Sequence, residues 1–162
     1  MTKKIRVNSG DVVEIPIDES RVGFAHVVKR KHALDLIVFQ NAFAIAEDYD
    51  LDAILTSPVA FLGQSNDALI WHGLWMVKGN SAPRYDNLPW PNFKILSDGQ
   101  YVVKDYFENT LRVATDEDLK AYDLPWSRAP IGYQKALQAL HGIGDWRDDF
   151  SKMSIQYCER RS

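Results

Sequence analysis

The sequence is poor in cysteine, the residue that staples many small secreted proteins. Among 162 residues cysteine occurs once, as Cys158. A single thiol cannot form an intramolecular disulfide, so a cystine-stabilised scaffold is excluded and a reducing compartment is favoured. A chain of this length buries roughly 70% of its unfolded surface on folding, which is enough for a core without disulfides or metals. We therefore expect one globular domain over residues 1–162.

Long hydrophobic runs are also absent. The longest dense apolar stretch, residues 33–46, is interrupted by Asp35, Gln40 and Asn41 and falls short of the ~20 residues that span a bilayer. The lysines near the amino terminus are not followed by the apolar segment that a secretory signal requires. These features predict a soluble, cytoplasmic protein that has no membrane partner.

Basic charge is scarce as well. The formal net charge is −3, which argues against duplex DNA or RNA as the main ligand, because proteins that bind phosphates usually carry a basic surplus. Residues 1–45 contain 7 Lys and Arg against 5 Asp and Glu, whereas residues 46–162 contain 12 against 17. The acidic surplus therefore belongs to the later part of the chain, where a basic partner would meet it.

The first two thirds of the chain are rich in β-branched and aromatic residues. Residues 10–17, 22–28 and 34–39 are predicted strands of a β-meander, separated by a turn at 18–21 and a basic tip at 29–32. Further strands are predicted at 59–62, at 68–71 continuing through 74–77, and at 93–96, 101–107 and 111–114. Prolines make residues 78–92 a long loop, and Asp98-Gly99 is a hairpin-turn signal.

Helix signals come late. Thr115 opens a capping pattern followed by three acidic residues, which predicts a short helix ending near Ala121. Pro130 suits a first helical turn, and apolar residues then recur at helical spacing until Gly142. We therefore predict an α+β fold of mostly antiparallel β structure: a strongly bent sheet or small barrel-like core over residues 1–114, then a short helix and a C-terminal helix within 115–150.

Sequence motifs for catalysis or metal binding are missing. The four histidines, at positions 26, 32, 72 and 141, lack the spacing of metal ligands. Cys158 is interpreted as an incidental thiol in a polar tail. Gly142 and Gly144 follow a predicted helix, so they are read as its end rather than as a phosphate-binding turn. We predict a protein that is not an enzyme and that has no cofactor and no metal.

The densest acidic run is residues 46–53, which we call the acidic segment. It contains Glu47, Asp48, Asp50 and Asp52, with Tyr49 among them. The alternating carboxylates are similar to part of a calcium loop, but the glycine and the distal glutamate of such a loop are missing from their positions. Two interpretations remain: a solvated turn between strands, or an anionic surface with Tyr49 as an aromatic contact that steers a basic protein.

Tryptophans supply the other candidate contacts. Trp71 and Trp75 are interpreted as core anchors. Trp90 stands between Pro89 and Pro91 in the loop, where it could contact a partner or cover one end of the sheet. We place Trp90 with the acidic segment as a candidate binding residue.

One pattern resembles a known family. Gly10-Asp-Val-x-x-Ile-Pro-Ile17, Gly23-Phe-x-x-Val27, Trp71-x-x-x-Trp75-Met-Val-x-Gly79 and the proline-rich loop are together similar to the immunity protein 26 family of bacterial polymorphic toxin systems. The turn at residues 18–21 departs from that pattern because it lacks a glycine. The resemblance implies a β-rich single domain that protects a cell by binding a cognate toxin. It supplies no catalytic residue, and it gives structural roles to the matching positions, namely Gly10, Pro16, Gly23, Phe24 and Trp75.

The predicted function is therefore that of an immunity protein that binds and neutralises a bacterial toxin, a nuclease being one possibility. The acidic segment would face the toxin, since carboxylates can imitate phosphates in a basic cleft. The alternative is a small-barrel module that binds a peptide or nucleic acid, which the basic hairpin tip Lys29-Arg30-Lys31 suggests.

Overall fold

The computed structural model describes residues 4–30, 33–83 and 85–162. Within these ranges the chain forms two antiparallel sheets and six helices, so the predicted α+β class with mostly antiparallel β structure is confirmed. Neither sheet closes on itself. The barrel-like form of the prediction is therefore wrong, because the large sheet ends in two separate edge strands instead of pairing them.

The larger sheet has six strands: β1 (Asp11–Pro16), β2 (Arg21–Lys29), β3 (Leu34–Phe39), β4 (Phe43–Ala44), β5 (Val59–Ser65) and β6 (Met76–Asn80). Their order is β5-β3-β2-β1-β6, and β4 pairs with β2 beside this path. The first three strands form the predicted meander. All six residues of β3 are buried, which explains its nearly continuous apolar sequence: both faces of the sheet are covered.

The smaller sheet has three strands: β7 (Phe93–Ser97), β8 (Gln100–Lys104) and β9 (Thr110–Val113), in that order. Asp98 and Gly99 join β7 to β8 with φ angles of 50° and 79°, as a type I′ turn requires, so the predicted hairpin is confirmed.

The helices are α1 (Leu51–Leu55), α2 (Ala68–Trp71), α3 (Asp116–Ala121), α4 (Pro130–Leu140), α5 (Asp148–Ser151) and α6 (Ile155–Arg161). The predictions of α3 and α4 are confirmed. In α3, Thr115 and Asp118 form a capping box. No described helix has the length and apolar character needed to cross a membrane.

Two cores lie on opposite faces of the large sheet. On one face, Ile15 and Val27 pack with Tyr133 and Leu137 of α4 and with Trp75. On the other face, α1, the loop before β7, the small sheet and α6 cover the sheet, and this core includes Phe24, Ile54, Trp90, Tyr106 and Cys158.

Residues 68–71 correct the predicted strand at that position. The segment is the helix α2, because Asn66 accepts a hydrogen bond from the Ala68 amide and the Trp71 amide donates to Asp67. A short apolar run has no periodicity that separates the two alternatives. Trp71 is half-buried rather than a core anchor, whereas Trp75 is fully buried and its indole donates to Gln134 at 2.9 Å.

The carboxyl-terminal segment corrects another prediction. Cys158 does not lie in a polar tail but in α6, where its side chain is fully buried against the large sheet. Ser154 caps this helix by accepting a hydrogen bond from the Tyr157 amide. Met153, Ile155 and Cys158 supply the inward side of the segment, a pattern too short to stand out among its polar residues.

The buried position of Cys158 predicts that its thiol reacts slowly in the folded protein. Burial raises the pKa of Cys158 to about 12, so the reactive thiolate is scarce at neutral pH. We expect a disulfide reagent added at pH 8 to react with the folded protein only at the rate of its opening, and to react at once in denaturant. Absorbance of the released thiol measures both rates, and immediate reaction of the folded protein would show that α6 does not cover Cys158.

The matching positions of the family pattern all have structural roles. Gly10 lies in the turn before β1 with a φ of 91°, and Pro16 ends β1 opposite Val22. Phe24 is fully buried. The register of β2 with β1 is unbroken at Gly23, so this glycine marks no bulge. It marks a close approach, because a Cβ at Gly23 would lie 2.4 Å from Cδ2 of Leu137.

Gly23→Ala is accordingly expected to lower the free energy of unfolding by about 1–3 kcal/mol, because the fully buried Leu137 side chain must shift within the core to admit one methyl group. Urea denaturation measures this loss. The double variant Gly23→Ala with Leu137→Ala is the control, since it removes the clash and should show a cost smaller than the sum of the two single costs. Additive costs would contradict the contact.

Candidate functional site

The acidic segment forms the entry to α1 and lies over the β1–β6 side of the large sheet. Asp50 is the N-cap of α1, and its Oδ1 accepts hydrogen bonds from the amides of Asp52 at 3.0 Å and Ala53 at 3.3 Å. One predicted contact residue therefore also builds the local structure. The remaining carboxylates, on Glu47, Asp48 and Asp52, extend from the exposed surface around this cap.

Tyr49 fixes the segment to the sheet. Its hydroxyl donates to Oε2 of Glu14 at 2.8 Å and accepts from the Ala46 amide at 2.9 Å. Its ring packs edge-on against Phe24 with centroids 4.7 Å apart. Burial and the bond to Glu14 raise the pKa of the phenol. Tyr49 thus positions the acidic segment, and only its half-buried ring edge is left for a partner.

Helix α1 supplies a second attachment. Ile54 is fully buried, and Leu51 lies on the backbone of Gly79 in β6. A Cβ at Gly79 would lie 2.6 Å from Cδ1 of Leu51, so the Leu51 side chain can occupy this position only because the strand residue has no side chain. The backbone of the acidic segment is therefore held in place before any partner arrives, which lowers the ordering cost of binding.

The close contact between Gly79 and Leu51 predicts that a larger residue at position 79 destabilises α1. Gly79→Ala is expected to displace α1 and to lower the free energy of unfolding by about 1–3 kcal/mol. Amide exchange of the Ile54 and Leu55 amides, compared with those of α4, measures where the loss falls. Equal exchange in α1 of the variant and the wild type would contradict the close contact.

The charges of the acidic segment are not compensated. Glu47, Asp48, Asp50 and Asp52 are all exposed, and none of them forms an ion pair within residues 4–30, 33–83 and 85–162. The neighbouring cation, Lys78, lies 3.9 Å from Glu14 instead. The four carboxylates consequently give this corner of the molecule a negative potential.

Trp90 is not part of this surface, which corrects its place among the candidate contacts. It is 7% exposed and stacks on Tyr106 with centroids 4.6 Å apart, and its indole donates to the Tyr85 carbonyl at 3.1 Å. Of the two roles considered for Trp90, the structure shows the core cover. Burying the large indole ring removes much apolar surface from water, which stabilises this end of the second core. A ring exposed between two prolines would give no such stabilisation.

The two described residues of the basic hairpin tip, Lys29 and Arg30, form hydrogen bonds within the fold. Arg30 donates from Nε and Nη2 to the two carboxylate oxygens of Asp35, at 2.5 and 3.0 Å. Lys29 donates to the Val7 carbonyl at 3.5 Å. Lys31 and His32 lie outside the described residues. Lys29 and Arg30 therefore offer less free positive charge than the sequence suggested.

Asp35 is the centre of a buried polar cluster that sequence reasoning missed. Its side chain is 1% exposed, and it accepts a third hydrogen bond from the Tyr106 hydroxyl at 2.7 Å. Burial and the neighbouring carboxylate raise the pKa of Tyr106 well above its usual value. Burial lowers the pKa of Arg30, but the hydrogen bond and charge of Asp35 outweigh it and raise that pKa overall. The cluster joins the small sheet to the end of β2 and β3.

A cleft of about 350 Å³ opens beside this cluster, between the two sheets. Its walls include Arg30, Gln64, Phe93, Phe107 and Trp126. The guanidinium of Arg30 lies 5.0 Å from the ring centroid of Tyr106 and is already paired with Asp35. The cleft therefore presents aromatic rings together with the carboxylates of Asp105 and Glu108, and its described lining residues include no free cation for an anionic ligand.

A basic groove of about 440 Å³ lies on the far side of Trp126, although the later part of the chain is acidic overall. Lys94, Arg128 and Lys152 surround it. Internal acceptors hold each of them: Lys94 donates to the Leu119 carbonyl, Arg128 pairs with Asp149, and Lys152 lies 3.7 Å from Asp123. This surface carries less free charge than the acidic segment.

The described residues contain no group of three or more His, Cys, Asp or Glu side chains arranged to hold a metal ion. Comparison with family models, with curated proteins and with solved structures found no match to this chain. The resemblance to the immunity protein 26 family therefore stays a prediction that depends on the residues quoted above.

Proposed function

We propose that this chain is an immunity protein that acts in the cytoplasm by binding a cognate protein toxin, with the acidic segment as the face that meets a basic region of the toxin. The observation that carries the proposal is the set of four exposed carboxylates without compensating cations in the described part of the chain. The sequence resemblance supports the same interpretation.

The geometry suits electrostatic recognition. The charges are held on a segment attached at both Tyr49 and Leu51, so its backbone does not have to be ordered when a partner binds. Fixed charges of one sign raise the rate of encounter with an oppositely charged protein. A toxin that binds nucleic acid would present such a basic surface, and occupation of it would block the substrate.

Protection of cells tests this function. The test first asks whether a reading frame next to this gene encodes a protein with a toxin-like C-terminal domain. That protein is then expressed from an inducible promoter, alone and together with this protein. We expect growth to be restored by co-expression of the wild type and not by an unrelated protein of similar charge. Continued killing in the presence of stable, folded wild-type protein would overturn the proposal.

A further inference from the structure

The small sheet carries a concentration of exposed apolar side chains. These residues are between 38% and 58% exposed: Leu96, Tyr101, Phe107, Leu111 and Val113. They account for five of the twelve large apolar side chains found exposed in the described residues. Leu96 and Tyr101 pair with each other on one face of the sheet, whereas Val113 pairs with Val102 on the opposite face. The exposed apolar side chains at the outer edge are therefore those of β9, namely Leu111 and Val113.

The outer edge of this sheet is unpaired. Strand β9 is the last in the order β7-β8-β9, and all four of its residues are exposed. The Ala114 amide donates to the Tyr101 carbonyl at 2.9 Å, and Val113 faces Val102. Because hydrogen-bonded and non-hydrogen-bonded pairs alternate in an antiparallel ladder, the Val113 amide and carbonyl point away from β8. Within residues 4–30, 33–83 and 85–162, no backbone group binds them.

The helix that follows β9 leaves the edge open. It crosses one face of the small sheet, where Asp118 pairs with Arg112 at 2.7 Å and the Leu119 carbonyl accepts from Lys94 at 2.5 Å. The segment after α3 then reaches β7, where the Lys94 amide donates to the Asp123 carbonyl. The edge of β7 is therefore partly covered, while that of β9 is not.

Acidic side chains flank the open edge. Glu108 precedes β9, and Asp116 and Glu117 follow it; all three are exposed and lack an ion pair in the described part of the chain. Arg112, the one cation of β9, is neutralised by Asp118. Lys104 lies one strand further in, on β8. A segment lying along β9 would thus meet apolar side chains at its centre and negative charge at both ends.

We propose that β9 accepts an extended segment of a partner protein as a fourth strand, with alternating apolar side chains and a Lys or Arg near each end. Backbone hydrogen bonds to the edge would supply general affinity, and the apolar centre and basic ends would supply selectivity. In the cell the partner would be the toxin of the proposed function. The edge itself does not depend on that identity, because it is defined by the unpaired backbone of Val113.

A peptide titration tests the edge directly. The probe is an acetylated, amidated heptapeptide that alternates valine and threonine between a terminal lysine and a terminal arginine. It is added to the ¹⁵N-labelled full-length protein while amide exchange is followed by NMR. We expect slower exchange of the Val113 amide and shifts confined to β8 and β9. A control peptide with glutamate at both ends should bind about tenfold more weakly, because it places like charges beside Glu108 and Asp116.

Val113→Pro is the matched variant. Proline has no amide hydrogen, and the amide hydrogen that it removes at position 113 points away from β8. The hydrogen bonds between β8 and β9 should therefore survive, although proline in a central strand would break them. We expect the variant to fold and to bind the basic peptide about tenfold more weakly, since one edge hydrogen bond is lost. Val113→Ile keeps both the amide and the apolar side chain and should bind like the wild type.

Three results would overturn the proposal: peptide protection outside β8 and β9, equal binding by Val113→Pro, or equal binding of both peptides. Self-association of the wild type that Val113→Pro abolishes would also overturn it, by showing that a second copy of the chain occupies the edge. The proposed function fails separately, if the wild type does not protect cells from the toxin.

Discussion

Neutralising the acidic segment is expected to slow association with a basic toxin by about 10–100-fold at low salt and to flatten the dependence of the rate on ionic strength. The variant is Glu47→Gln, Asp48→Asn, Asp50→Asn and Asp52→Asn. Asparagine at position 50 still accepts hydrogen bonds as an N-cap, so α1 should persist. Stopped-flow association rates over a range of salt concentrations measure the effect.

A matched control removes the same number of charges elsewhere. Asp98, Asp145, Asp148 and Glu159 are exposed and lack ion pairs within the described ranges. Their conversion to the corresponding amides should change the rate far less than neutralisation of the acidic segment. An equal loss in both variants would mean that net charge alone attracts the toxin, and unchanged rates would remove the acidic segment from the binding face.

Loss of the buried carboxylate is the second large effect. Asp35→Leu is expected to lower the free energy of unfolding by about 3–5 kcal/mol, because it leaves the Arg30 guanidinium partly buried without its partner and the Tyr106 hydroxyl without an acceptor. Urea denaturation followed by tryptophan fluorescence measures the loss. Association with the toxin at the acidic segment should remain, if measured well below the midpoint of denaturation.

A combined variant distinguishes an unpaired charge from simple loss of packing. Asp35→Leu with Arg30→Met and Tyr106→Phe replaces the whole cluster by apolar groups, and it should recover much of the lost stability. If the combined variant is less stable than Asp35→Leu alone, the cause of the loss is not the unpaired charge and hydroxyl group. The polar cluster would then stabilise the fold more than the apolar replacements do.

The elements that could be predicted from sequence are those in which local residue patterns favour the same structure that packing in the folded protein requires. The meander of β1–β3, the Asp98-Gly99 turn, the Thr115 cap and the helix after Pro130 all carry such signals. Residues 68–71 carry none that separates strand from helix, and α2 depends on Asn66 and on the loops around it.

The contacts between distant segments could not be predicted. Asp35 meets Tyr106 across 71 positions of sequence, and Trp90 becomes a core residue only because the small sheet folds over the large one. Likewise, the exposed carboxylates of the acidic segment could be identified from sequence, but their attachment through Tyr49 to Glu14 and through Leu51 to Gly79 could not. The local patterns of a single sequence do not identify which distant residues meet after folding.

Toxin activity measures whether this protein neutralises a toxin by binding it. Where a reading frame next to this gene encodes a toxin-like protein, that protein is purified and its activity is followed as wild-type protein is added in increasing amounts. We expect toxin activity to fall to the baseline at a fixed molar ratio, and the variant neutralised at the acidic segment to need a higher concentration at the same salt. Full toxin activity in the presence of excess wild-type protein would contradict the proposed neutralisation.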